Sequence, residues 1–224
     1  KYGNPTEKPA MKKAVPAGVT AKTVVDNYIK AIGGEKAVKA VKSISSVGTT
    51  KIPQAPMPLS YVSKIDNKGK MMVELSMAGM GSLMKQVVNG NTAYMMQQGQ
   101  KMPVEGDDLT KMKESAVLFS ETLLTTKAGV KVDAIEPING SDAYAVVDGD
   151  TTHYFDVASG LKTAEAKTME QEGKKMTQTT YFNDYKEVKG VKVPYNVILN
   201  VGFELDVKMT DVKINEGVTD ADFQ

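Results

Sequence analysis

From Ile44 onward the chain is written in short runs of alternating apolar and polar residues, each cut off by a turn signal. VGTTKI, LSYVSKI, KMMVELSM, SLMKQVV and TAYMMQQ are divided by PQAPMP, DNKG, AGMG and NGN. After an interruption the runs resume as VKVDAIEPI, DAYAVVD, THYFDV, LKTAEAKTME, KKMTQTTYFNDY, VKVPYNVIL and GFELDVKMTDVKI. A period of two sends successive side chains to opposite faces, and connections this short join antiparallel neighbours. The pattern predicts a sheet of about eleven or twelve strands. In the third run Met71, Val73, Leu75 and Met77 share one face, against Lys70, Glu74 and Ser76 on the other. In the last run Phe203, Leu205, Val207 and Met209 share a face, but the apolar set then slips to Val212 and Ile214, which predicts a bulge near Thr210 or Asp211.

A sheet of this width must curl, and if it curls only partway its concave face needs a cover. The chain offers helices for that purpose. Thr20 can cap AKTVVDNYIKAI, where Val24, Val25, Tyr28, Ile29 and Ile32 recur at helical spacing before Gly33 and Gly34 stop it. A short second helix, EKAVKAV, presents Ala37, Val38 and Val41. Between the two groups of strands, residues 106–128 lose the alternation. There Asp107 or Asp108 can cap a helix carrying Leu109, Met112, Ala116 and Phe119, with Leu123 and Leu124 beyond. The predicted class is α+β, an incomplete antiparallel β-barrel with helices over its concave face. Residues 1–18, with Pro5, Pro9 and Pro16, read as a linker, and 19–224 as a single domain. The first residue is Lys1 and no apolar signal core follows it, which reads as a segment of a longer protein or a processed form, the former being expected.

Several kinds of chemistry have no residues to carry them. The chain contains no cysteine, so thiol catalysis, disulfides and thiolate metal sites are excluded within it. One histidine, His153, cannot make either two-histidine zinc-peptidase motif, and its place in a strand reads as a surface or satisfied position. No nucleophile elbow or phosphate loop is present, and GGEK follows a helix, where it reads as a stop. Tyr181, Phe182 and Tyr185 near NDYKEV read as core or rim aromatics rather than a sugar platform. Lysines and acids nearly balance at a formal net charge of +1 and are scattered, so no nucleic-acid partner is expected. No apolar run approaches the roughly 20 residues of a membrane-spanning helix. No cofactor is expected.

Methionine is the unusual component. Ten of the 14 methionines fall between Met57 and Met112. Three readings stay open: core filler, a soft-metal site using Met77, Met80 and Met84, or the adaptable lining of an apolar pocket. The candidate lining is Met71, Val73, Leu75, Met77, Met80, Met84, Tyr94 and Met96, and the partner it would take is an apolar small molecule or acyl chain.

VVDNYIKAIGGEKAVKAVKSI, the late YFNDYKEVKGVKVPYNV and the closing VKINEGVTDADF resemble the lipoprotein-carrier (LolA-like) domains of envelope proteins from Bacteroidetes-type bacteria. The leader KYGNPTEKP and the stretch MAGMGSLMKQVVNGNTAYMMQQGQKMP resemble the C-terminal extension behind pitrilysin/insulinase-like zinc peptidases of that group. The resemblance implies an incomplete barrel wrapped round helices, a periplasmic or cell-envelope location, and an apolar cavity suited to acyl chains. It also implies an upstream peptidase domain as a neighbour, with none of that peptidase's metal or catalytic residues in this segment. The arginine that helps gate acyl entry in such carriers has no counterpart, because the chain has no arginine. An apolar-ligand or partner-binding module is therefore the expectation.

Overall fold

The structure is a computed structural model that describes residues 12–52, 57–97, 99–171, 174–200 and 204–224, without the side chains of 170, 171, 174 and 175. Two helices come first, α1 (Ala21–Ala31) and α2 (Glu35–Ala40). Six strands follow: β1 (Ser43–Lys51), β2 (Leu59–Asp66), β3 (Lys70–Met77), β4 (Gly81–Asn89), β5 (Thr92–Gln97) and β6 (Gln100–Val104). Helix α3 (Gly106–Ser115) and a 3-10 turn (Ser120–Thr125) separate them from a second group. That group is β7 (Lys131–Ile138), β8 (Ser141–Asp148), β9 (Thr151–Asp156), β10 (Lys162–Gln171), β11 (Lys174–Val188), β12 (Val191–Asn200) and β13 (Glu204–Ile214), and a last 3-10 turn spans Asp220–Phe223.

All the strands lie in one antiparallel sheet of order β6-β5-β4-β3-β2-β1-β13-β12-β11-β10-β9-β8-β7. Each group is a meander, and the long-range β1–β13 pairing joins them at the centre. The sheet curls without closing, leaving β6 and β7 as edges. Pro103 and Pro137 sit on those edges, where a missing N–H does least harm and discourages pairing with another chain. Lys13, inside the stretch read as a linker, pairs with Ile135 of β7.

Register shifts interrupt the ladders of β1–β13, β3–β4, β7–β8 and β9–β10. Bulges of this kind raise the local twist and help the sheet to curl. At β1–β13 the pairing passes from Val47↔Asp211 to Gly48↔Met209, so Thr210 is the extra residue, in the place the apolar slip predicts. Phe203, read as part of the same apolar face, lies outside the described residues.

The helices cover one face of the sheet. Thr20 caps α1 with a hydrogen bond from the Thr23 N–H, and Val24, Val25, Tyr28 and Ile32 pack against Val146, Phe155 and Leu124. Gly33 then turns with φ 135, and a Cβ there would stand 2.2 Å from the Gly190 carbonyl oxygen, so only glycine fits. Ala37 and Val41 pack on Val191, Val193, Val212 and Ile214. Leu109, Met112 and Ala116 of the α3 region close over Met71, Val88 and Ala93. The opposite, outer face of β2–β5 is covered by the C-terminal turn, whose Phe223 is buried against Met72 and Val87.

Two expectations are corrected. The described residues form thirteen strands against about eleven or twelve expected, the addition being β6, whose run QKMPV carries too little apolar alternation to be read as a strand. The residue capping α3 is Glu105, without a side-chain hydrogen bond, while Asp107 and Asp108 lie in the first turn, where the helix dipole favours acids.

Candidate functional site

Register places the apolar residues of the helix-covered, inner face in rows that cross the sheet. One row runs Ile65–Met71–Val88–Ala93–Val104, and it carries α3. The next is Ser63–Val73–Gln86–Met95–Met102, and beyond it comes Tyr61–Leu75–Met84. Leu75 and Met84 face each other across β3 and β4 and lie outside the α3 cluster.

Closer to the strand ends a further row joins the two meanders: Phe182–Val197–Val207–Thr50–Leu59. Val207, Thr50 and Leu59 are all buried, although none belongs to a helix-packed cluster. Thr50 Oγ1 is buried within this row and has no hydrogen-bond partner among the described residues. An unpaired hydroxyl in apolar surroundings costs free energy unless something satisfies it. Leu199 and Leu205, paired with each other, continue the same face outward.

The predicted lining residues separate into three groups. Met71 and Val73 are committed to packing under α3. Leu75, Met77 and Met84 follow on the same face, with Met77 buried and Met80 exposed in the β3–β4 turn. Tyr94 and Met96 lie on the outer face, because they pair with Val87 and Lys85, neighbours of the inward Val88 and Gln86. Tyr94 packs with Phe223 and Met72, donates its hydroxyl to the Gln224 carbonyl oxygen at 2.5 Å, and has Lys101 Nζ 3.7 Å above its ring. The inward methionine of β5 is Met95 instead.

At one end of the Phe182 row lies a group that the sequence reading missed. Lys162 Nζ stands 4.8 Å from the centre of the Phe182 ring, 2.9 Å from Glu121 Oε1 and 2.7 Å from Glu165 Oε2. His153 Nδ1 is 3.1 Å from Glu165 Oε2 but off the line of a hydrogen bond. The Lys162 side chain is 5% exposed. Burial, the largest influence, drives its amine downward, but Glu121 and Glu165 together hold it above the ordinary lysine value. Burial likewise pushes Glu165 upward, and His153 and Lys162 outweigh it to leave the carboxyl well below its usual range. Glu121 is lowered too, Lys162 overcoming its burial. A lysine held charged is no nucleophile. Tyr185, partly buried and with its pKa raised by loss of solvent, donates to the Lys162 carbonyl at 2.9 Å and packs with α1.

Next to this cluster a cleft of about 410 Å³ separates the α3 region from the β8–β10 strands. Its walls include Lys111, Glu114, Asp148, Asp150 and Lys167, and Lys127 bridges Glu114 at 2.8 Å and Asp148 at 2.9 Å. The cleft is polar and largely self-paired. The described residues hold no group of three or more histidines, cysteines or acids arranged for a metal ion, and no helix long and apolar enough to cross a membrane.

Solved structures resemble the whole architecture. A LolA superfamily protein from Nitrosomonas europaea superposes with a TM-score of 0.58 at 12% identity, over 92% of this chain and 98% of its own. A DUF1329 family protein from Desulfovibrio piger gives 0.61 at 9% identity, over 91% and 97%. An outer membrane lipoprotein-sorting protein domain from Vibrio parahaemolyticus gives 0.59 at 12% identity, again over 91% and 97%. No family model matches the sequence, and no curated protein does. The likeness is one of architecture, and the chain has a LolA-like fold: an unclosed antiparallel sheet curled over helices.

Proposed function

We propose that the domain is a non-catalytic binder of apolar ligands, acyl chains foremost, acting in the periplasm or cell envelope. The observation that carries this reading is the inner face beyond the helices, where Leu75, Met77, Met84, Leu59, Val207, Val197 and Phe182 form apolar rows outside any helix-packed cluster. Methionine suits such a face, because its flexible thioether adapts to varied apolar shapes. The lipoprotein-sorting domain among the similar structures supports the envelope setting. In this reading the leader, which the Lys13–Ile135 pairing ties to β7, follows a zinc-peptidase domain, and the segment contributes binding without catalysis.

A naphthylamine fluorophore titrated into the protein tests the proposal. Saturable enhancement, reversed by a long-chain fatty acid, is the expected result. Fluorescence that rises without saturation, or that fatty acid leaves unchanged, contradicts it.

A further inference from the structure

Five of the large apolar side chains exposed among the described residues are methionines: Met57, Met80, Met102, Met169 and Met176, exposed by between 42% and 70%. Scattered exposed apolar residues are normal, but these are not scattered. Antiparallel register puts the end of β1 beside the start of β2, and likewise β3 beside β4, β5 beside β6 and β10 beside β11, along one border of the sheet. Met57 precedes β2, Met80 lies in the β3–β4 turn, Met102 is near the start of β6, and Met169 pairs with Met176 near the tip of the β10–β11 hairpin. All five therefore stand on the same border. The rows that lie beyond the helices run out toward it, whereas Gly33 at the end of α1 abuts Gly190 at the opposite border.

The charge along half of this border has one sign. Residues 51–52, 57–58, 77–82, 96–97 and 99–102 contain Lys51 and Lys101 and no aspartate or glutamate. Neither lysine is in an ion pair among the described residues, although Lys101 Nζ rests over the Tyr94 ring at 3.7 Å, and Asp206, opposite Lys51 in register, is 3.3 Å from Lys208. Flexible apolar side chains with nearby cations match a lipid surface, where thioethers enter the headgroup boundary and lysines reach the phosphates.

We propose that this border is a contact surface for an anionic lipid bilayer, with Met57, Met80 and Met102 entering the interface and Lys51 and Lys101 facing the headgroups. The contact turns the open ends of the apolar rows toward the membrane. It stands on the exposed methionines and the lysines, independently of whether the inner face holds a ligand.

Flotation of the full chain with vesicles tests it, comparing pure phosphatidylcholine with equal parts phosphatidylcholine and phosphatidylglycerol. The protein is expected to float with the mixed vesicles at low salt and to be released as salt rises. Lys51→Gln and Lys101→Gln should each weaken binding by about fivefold. Met57→Ser with Met80→Ser should lower it further at an unchanged melting temperature, since both side chains are exposed. A chain that does not float with mixed vesicles at low salt, or that floats equally after the paired methionine substitution, overturns the proposal. A protein that takes up the fluorophore but does not float refutes the membrane contact alone; one that floats without uptake refutes the ligand reading alone.

Discussion

Lys162 Nζ lies 2.9 Å from Glu121 Oε1, joining a strand of the second meander to the 3-10 turn that follows α3, at a sequence separation of 41. The contact fixes the helical cover to the sheet by charge. Removing one partner leaves the other buried without compensation, so Lys162→Met should destabilise the fold by about 3–5 kcal/mol. Adding Glu121→Leu should recover part of that loss. Urea unfolding of the single and double variants gives both numbers.

The same cluster sets an acid limit. Glu121 and Glu165 are held below their ordinary values in the folded state, so the unfolded chain binds more protons as pH falls. Their contribution is complete above the unfolded value of about 4.3 and is lost as pH falls through the folded values. Urea midpoints should fall with pH below that point. Glu165→Gln should be less stable at neutral pH and lose less on acidification.

Much of the fold was legible because inner and outer faces differ in polarity, which writes a period of two into nearly every strand. The bulge at Thr210 was legible for the same reason, as a slip of parity from Met209 to Val212. Strand β6 was not, because Gln100, Lys101 and Pro103 suit an exposed edge rather than a two-faced strand. Tyr94 and Met96 were misplaced because a run such as TAYMMQ has apolar residues at both parities, and only the pairing with β4 decides which face each takes. The Lys162 cluster and the Phe182 row depend on partners from distant strands. No local pattern announces them.

The outer face makes a separate prediction. Phe223 is 1% exposed under the C-terminal turn, its carbonyl accepts a hydrogen bond from Asn89 Nδ2 at 3.3 Å, and Asp222 pairs with Lys64 at 2.6 Å. Phe223→Ala should cost about 3 kcal/mol through the cavity it leaves. Lys64→Gln should cost about 1 kcal/mol or less, as expected for a pair that solvent partly reaches. Thermal unfolding of the two variants orders them.

The methionines divide the apolar reading from the soft-metal one. Replacing Met77, Met80 and Met84 together by leucine keeps volume and apolarity, a change that usually costs under about 1.5 kcal/mol per site. Fluorophore binding should stay within about tenfold of the parent. A copper(I) site would lose its ligand-dependent stabilisation with its sulfur donors, so a parent chain that copper(I) stabilises and a leucine variant that it does not would favour metal.

The central claim is that the inner face beyond the helices holds an apolar ligand. Native mass spectrometry of the intact chain, mixed with a long-chain fatty acid and compared with Leu75→Glu, tests it most directly. An unpaired carboxylate on this half-buried apolar face beside Met84 opposes apolar occupancy. The account predicts a bound stoichiometric adduct for the parent and its loss from the folded variant. A parent that carries no adduct, or a variant that carries it equally, contradicts the account.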